Sequence, residues 1–128
     1  MPDGMPSVDF IHAVIDDGQD EVRREYLRPD QAMKRDGALS GFEACRWKRP
    51  DQLPAFLEEA KKKTHLARME QRADYWYWRY YELQVEWVLN VFSAALYTQG
   101  YRPLITPTYR GLNKAIEILG RSDARETT

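Results

Sequence analysis

Residues 55–99 form a long stretch that contains neither glycine nor proline. Such a stretch can continue as one helix, because no residue in it removes a backbone donor or adds the entropy cost of glycine. At about 1.5 Å per residue this helix would be roughly 68 Å long, about twice the diameter of a compact domain of this size. The helix therefore either breaks or projects from the molecule and needs a partner.

We expect one continuous helix over about residues 52–98, with Gly100 as the residue after its C-cap. The alternative is a bend near Thr64, where the register of the apolar residues changes. Three adjacent lysines at residues 61–63 bury little, but lysine is a good helix former and does not break a helix.

The second half of this helix carries a dense aromatic block, residues 75–81, within two apolar series at alternating spacings of three and four. This spacing is typical of a coiled-coil seam, and the two series together cover more than half of the helix circumference. The helix must therefore be covered on several sides. A continuous helix would leave much of the block uncovered in a monomer, so we expect a homodimer. The predicted protein interface consists of Trp76, Tyr80, Leu83 and Trp87 on one face, and Trp78 and Tyr81 on the other.

The N-terminal part of the chain predicts short helices around this central one. Ser7 is a plausible N-cap for a first helix that Gly18 ends, and residues 20–27 form a second, mostly charged segment. Two glycines and a proline then interrupt residues 37–50.

The C-terminal part predicts one more helix and then a tail. Thr106-Pro107 indicates an N-cap followed by proline at the first helical position, so we expect a helix over about 107–119. The fold class is therefore an all-α helical bundle around one long central helix. It forms a single domain over residues 1–120, and the polar tail, 121–128, is expected to be disordered.

The balance of charge bears on the class of partner. The chain has 19 basic and 20 acidic residues and a net charge of −1. Nucleic-acid binding is not favoured, because proteins that displace counterions from phosphates usually carry a large positive excess. A local basic face remains open.

Cys45 is the only cysteine, so an intrachain disulfide is impossible and a reducing compartment is indicated. The N-terminus lacks a basic leader followed by an apolar run, and no segment has the roughly 20 apolar residues that a bilayer span needs. We expect a cytoplasmic protein without membrane contact.

Two clusters combine basic and aromatic residues and could receive an anion, either a phosphate backbone or an acidic protein surface. The first precedes the long helix and continues along it, and the second surrounds the N-terminus of the last helix. A solvated surface is the alternative for both. The candidate contacts are Arg46, Trp47, Lys48, Arg49, Lys61, Lys62, Lys63, Arg68, Arg72, Arg102 and Arg110.

Other patterns suggest chemistry only weakly, and we predict no metal, cofactor or catalytic residue. Asp9, His12 and Asp16 fall on one helical face but suit a surface histidine flanked by acids better than a metal site. Glu82 and Glu86 are one turn apart, which is more typical of a solvated face than of an acid–base pair.

Gln84 falls inside the apolar arc, near Tyr77, Tyr80 and Trp87. A buried amide needs hydrogen-bond partners, which tyrosine hydroxyls could supply. It either fixes the helix register or forms one wall of a small-molecule pocket.

These patterns lead to one main hypothesis and two alternatives. The main one is a non-enzymatic helical interaction protein that dimerises and binds a larger protein partner, with modulation of a nucleic-acid-processing complex as a sub-case. The first alternative is a nucleic-acid-binding module that uses the basic stretch 46–72. The second is a small-ligand-binding bundle centred on Gln84, Glu82, Tyr77 and Arg110.

Overall fold

The computed structural model describes residues 6–126, with side chains for 6–121. Within this range the chain forms five α-helices and no strand, which confirms the all-α prediction. The helices are α1 (Val8–Glu25), α2 (Ala32–Cys45), α3 (Leu53–Met69), α4 (Tyr75–Thr98) and α5 (Tyr109–Glu126). Single turns of 3₁₀-helix, Pro29–Gln31 and Pro50–Gln52, lead into α2 and α3.

The continuous helix expected over 52–98 is instead two helices, because the chain turns back at residues 70–74. No break occurs near Thr64, which lies inside α3. Its hydroxyl donates to the backbone carbonyl of Trp78 across the hairpin, at 3.0 Å. Folding back stabilises the chain because the apolar faces of α3 and α4 leave water together, a gain of roughly 25 cal/mol per Å².

The break is a Schellman cap without its usual glycine. Gln71 takes the left-handed conformation, with φ of 51°. Its amide donates to the carbonyl of Arg68 at 3.1 Å, and the amide of Arg72 donates to that of Ala67 at 2.9 Å. α4 ends in the same way at Gly100, whose φ is 85°, so the predicted position of that glycine after the C-cap is confirmed.

The N-terminal half forms longer helices than expected. Gly18 does not end the first helix but lies inside α1, which continues to Glu25. A Cβ at this position would lie 2.2 Å from the ring carbon Cζ of Phe42. This glycine is therefore present for close packing between α1 and α2, and it does not act as a helix stop.

α2 occupies much of the 37–50 segment that was expected to be irregular. A Cβ on Gly37 would lie 2.1 Å from the backbone oxygen of Tyr77, and one on Gly41 would lie 2.5 Å from that of Tyr81. The two glycines are one turn apart, so they bring one face of α2 against the backbone of α4.

α4 is the central helix and packs against the other four. All residues of the range 88–96 are buried, so the prediction that this helix is covered on several sides is confirmed. α1 runs antiparallel to it, with ring contacts between Phe10 and Phe92 at 6.5 Å and between Tyr26 and Tyr80 at 5.9 Å. Because the covering helices belong to the same chain, the geometric argument for a second copy no longer applies. The homodimer stays a prediction.

α5 begins two residues later than expected and extends beyond 107–119. Thr108 caps it, since its hydroxyl accepts from the amide of Gly111 at 3.1 Å. The side-chain amide of Asn90, buried on α4, donates to that hydroxyl at 2.9 Å and accepts from the Thr108 backbone at 3.0 Å. The predicted disordered tail, 121–128, overlaps the end of this helix, and its last two residues lie outside the described residues.

Candidate functional site

A groove of about 440 Å³ opens between α1, the middle of α4 and the start of α5. Apolar side chains of Val22, Phe42 and Leu83 form part of its wall. We call it the acidic groove, and its other lining residues with charged, amide or aromatic side chains are Glu21, Glu25, Tyr26, Gln84, Glu86, Trp87, Asn90 and Arg110.

Three carboxylates give this groove its charge. Glu21, Glu25 and Glu86 are exposed, and none of them makes an ion pair within the part of the chain that the structure describes. Burial raises the pKa of Tyr26 beside them, and Tyr80, Glu25 and Glu21 raise it further. Burial is the largest cause of this shift in the pKa of Tyr26, and the two carboxylates of α1 add to it.

Trp87 and Arg110 show how the groove can hold a cation. The guanidinium carbon of Arg110 lies 5.6 Å from the centre of the Trp87 ring, within the range of a cation–π contact. Arg110 is exposed and has no ion-pair partner among the described residues. The half-buried face of Trp87 is thus suited to a positively charged group.

Gln84 lines the same groove and is half-buried. Its amide makes no hydrogen bond to another described residue, so the expected tyrosine partners are not found. The amide therefore presents a donor and an acceptor to the groove.

The predicted interface residues lie in two different places: some line the acidic groove or lie near it, and others pack inside the α3–α4 hairpin. Leu83 and Trp87 line the acidic groove, and Tyr80 contacts Tyr26 at its edge. Trp76 is 49% exposed, and the ammonium of Lys34 lies 4.9 Å from its ring centre. This predicted face of α4 therefore continues the groove.

The opposite predicted face packs inside the α3–α4 hairpin. The ring of Tyr81 meets that of Phe56 at 6.1 Å, and Lys63 lies over Trp78 at 4.7 Å. Trp78 also donates from its indole to Asp74 at 3.1 Å. These contacts lie within the chain and leave less of this face available to a partner.

A second groove, of about 530 Å³, lies between α3 and α4. We call it the basic groove, and it is lined by Lys61, Thr64, His65, Arg68, Tyr75, Arg79 and Glu82. The buried carboxylate of Glu82 accepts from the guanidinium of Arg79 at 2.8 Å. The exposed residues His65 and Arg68 have no partner among the described side chains.

The basic stretch 46–72 does not form one surface. Arg46 bridges Asp16 at 2.7 Å and Glu43 at 2.9 Å, and the hydrogen bonds that it donates to these two carboxylates raise its pKa. Its charge is therefore neutralised by neighbours.

The other members of the stretch are similarly dispersed. Arg49 pairs with Asp51 at 3.4 Å and Arg72 with Asp74 at 2.8 Å. Lys48 lies over the ring of Phe56 at 4.7 Å. Only Lys61 and Arg68 of the predicted set line the basic groove. Lys62 lines a separate pocket on α3, which Lys61 and His65 also border.

Trp47 and Arg102 remain on the surface. Trp47 is 79% exposed in the turn after α2. Arg102 is exposed before α5 and has no ion-pair partner within residues 6–121.

Reactive groups elsewhere have ordinary structural roles. Burial raises the pKa of the Cys45 thiol to about 12, against an opposing effect of Lys48, so this thiol is not a nucleophile at neutral pH. A ring nitrogen of His12, Nε2, lies 3.4 Å from the carbonyl oxygen of Arg46. Within the described residues no three metal-ligating side chains converge.

The structure separates the carboxylates that sequence spacing paired. Glu82 lies in the basic groove and Glu86 in the acidic groove. Of the residues proposed for a small-ligand site, Gln84 and Arg110 come together, but Glu82 and Tyr77 do not join them.

Sequence reasoning missed the residues that α1 contributes. Glu21 and Glu25 are four apart and share a helical face, but the segment 20–27 indicated only a mostly charged helix, and its position beside α4 is not visible in the sequence. His65 was also missed, although it lies four residues after Lys61 and three before Arg68.

Comparison with known proteins finds no matching family, no similar curated protein and no similar solved structure. Over the residues described, none of the helices has both the length and the apolar character required to cross a bilayer.

Proposed function

We propose that this protein is a non-enzymatic helical interaction module that binds a basic segment of a larger protein partner in the acidic groove. The observation that carries the proposal is the convergence of three unpaired carboxylates on one groove, beside an indole that already holds a guanidinium of the same chain. The three are Glu21, Glu25 and Glu86, and the indole is that of Trp87.

Charge complementarity defines the partner. Three carboxylates and one guanidinium, that of Arg110, leave the groove with a net negative charge. Lysine or arginine side chains would be drawn to it, and complementary charge favours fast association and selects against acidic partners. The arrangement of Arg110 on Trp87 is an internal example of the cation that the groove would accept.

Three aromatic residues of α4 in and beside the groove would provide the apolar part of the interface. Trp76, Tyr80 and Trp87 offer large rigid surfaces, which dominate interface energetics. The free amide of Gln84 supplies a donor and an acceptor for a peptide backbone. A partner segment would therefore combine basic side chains with an apolar anchor.

The test measures binding of a fluorescein-labelled hexapeptide, Gly-Arg-Leu-Gly-Arg-Gly, by fluorescence anisotropy. Replacing Glu21 and Glu86 together with glutamine should weaken binding about three- to tenfold, because each exposed ion pair contributes roughly 0.2–1 kcal/mol. Both side chains are exposed, so the fold should tolerate the change.

The matched control replaces two exposed carboxylates outside the groove, Glu59 on α3 and Glu70 at its C-cap, with glutamine. It changes the net charge by the same amount and should leave binding unchanged. Equal weakening by both pairs would show general charge attraction only and would contradict the proposal. A version of the peptide with glutamate in place of arginine should not bind.

A small cationic ligand is the second candidate, supported by the groove's three unpaired carboxylates and by Gln84 and Arg110, two of the four residues of the small-ligand hypothesis. A rise in melting temperature with free amines but not with the arginine peptide would favour it.

Nucleic-acid binding is not favoured, because most cations of residues 46–72 are paired or lie on rings. The homodimer and the cytoplasmic location stay parts of the proposal, and sedimentation at several concentrations tests the former.

A further inference from the structure

We propose that the basic groove binds the phosphate group of a small phosphomonoester, at a site separate from the acidic groove. Lys61, His65 and Arg68 are spaced at four and three residues along α3 and therefore share one helical face. Tyr75 and Arg79 of α4 line the same groove. Four nitrogen-bearing side chains and a phenol thus surround one space of about 530 Å³.

The basic side chains of this groove differ in how many contacts they already make within the chain. Arg68 and His65 are exposed and have no partner within the described chain. Lys61 contacts only the exposed Glu58, at 3.3 Å, a kind of pair that contributes little. Arg79 is held by the buried carboxylate of Glu82 at 2.8 Å, which orients its guanidinium and leaves other N–H donors of the five free.

A terminal phosphate suits this set of donors. It carries up to two negative charges and three strong acceptor oxygens, and guanidinium groups bind such oxygens through parallel hydrogen bonds. The volume of the groove exceeds that of one phosphate, so the rest of a small ligand can lie beside the ring of Tyr75.

A nucleic-acid backbone fits the surroundings less well, because it needs a line of free cations. Beyond the groove such a line is interrupted. Arg46 and Arg72 are in ion pairs at 2.7–2.9 Å, and Lys48 and Lys63 lie over aromatic rings. The groove instead brings several basic side chains around one space, as recognition of a single terminal phosphate requires.

The two histidines of the chain provide a direct test by proton NMR of the full-length protein. We expect added inorganic phosphate, and adenosine monophosphate at lower concentration, to shift the imidazole resonances of His65. His12 lies against the carbonyl of Arg46, outside the groove, and its resonances should not move. Adenosine without phosphate, and sodium chloride at equal ionic strength, should have no effect.

Arg68→Gln should weaken binding of adenosine monophosphate roughly tenfold, because it removes a charge-assisted contact. Arg102→Gln removes an equally exposed and unpaired guanidinium elsewhere and should not change the affinity. The proposal is overturned if His65 does not respond to phosphate, if chloride shifts it as much, or if both variants bind equally. Tighter binding of a thymidine oligonucleotide than of the monophosphate would also overturn it, in favour of a nucleic-acid surface.

Discussion

Two glycines on α2 determine how closely it approaches the central helix. Gly37 and Gly41 face the backbone oxygens of Tyr77 and Tyr81, at positions where no side chain fits. From the sequence alone these glycines indicated a break in the helix, because glycine lowers helix propensity. Their purpose becomes clear only when the neighbouring helix is in place.

At the residue scale we predict that Gly37→Ala lowers the free energy of unfolding by about 2 kcal/mol or more. The added Cβ would lie 2.1 Å from the backbone oxygen of Tyr77, so α2 and α4 must separate. Urea unfolding followed by circular dichroism measures the change.

Gly120→Ala is the matched control, because nothing lies within 4 Å of the added atom on α5. It should leave stability unchanged or raise it by up to about 1 kcal/mol, as expected for glycine to alanine in a helix. If both variants behaved alike, the close contact between α2 and α4 would not exist.

At the scale of elements, an ion-pair network connects α5 to α1. The carboxylate of Asp17 accepts from the ammonium of Lys114 at 3.0 Å and from the guanidinium of Arg121 at 3.2 Å. Both cations also contact Glu117. Burial by itself would raise the pKa of Asp17, but the hydrogen bonds from the two cations outweigh it and lower the pKa.

We predict that Asp17→Asn destabilises the protein by about 1 kcal/mol at pH 7, a magnitude typical of partly exposed pairs. Because the folded-state pKa lies below the unfolded value of about 4, this stabilisation is present above pH 4 and is lost as the pH falls through the folded-state pKa. Urea unfolding should therefore show a difference in unfolding free energy between the variant and the original protein that is smaller near pH 3 than at pH 7.

Asp20→Asn is the control for this network. Asp20 is exposed, and its one ion pair among the described residues is with Arg23 of its own helix, at 3.4 Å. Its replacement should therefore change stability by only a few tenths of a kcal/mol at either pH. An equal loss in both variants would mean that the network does not attach α5.

The elements show which parts of the fold the sequence could predict. The end of α4 was predictable because Gly100 supplies the left-handed residue of its cap. The end of α3 was not, because Gln71 takes that conformation at a local cost that hairpin packing offsets. The sequence can predict a helix cap that uses the usual residues. A cap that uses an unusual residue depends on long-range packing, which the sequence does not show.

The candidate site was predictable to a similar degree. Gln84 was identified because its position in the apolar arc is unusual for an amide, and it does line a groove. Glu21 and Glu25 were not identified, since their importance depends on α1 continuing past Gly18 and meeting α4. Charged residues on separate helices form a site only when the tertiary fold brings those helices together.

At the scale of the whole molecule, the hairpin of α3 and α4 determines the fold. Folding back places the ring of Phe56 6.1 Å from that of Tyr81, although a continuous helix would separate these residues by roughly 38 Å. The same hairpin forms the basic groove. Its first helix, α3, also covers one side of α4, and α1, α2 and α5 cover the others.

The most direct test of this claim is the distance between spin labels at residues 55 and 86, both exposed, in a Cys45→Ala background. Double electron–electron resonance should give a distance below about 30 Å, because packed helices lie 8–10 Å apart. That short distance should persist when labelled protein is diluted with unlabelled protein. A distance near 46 Å, as expected for a continuous helix at about 1.5 Å per residue, or a short distance that disappears on dilution, would contradict the account.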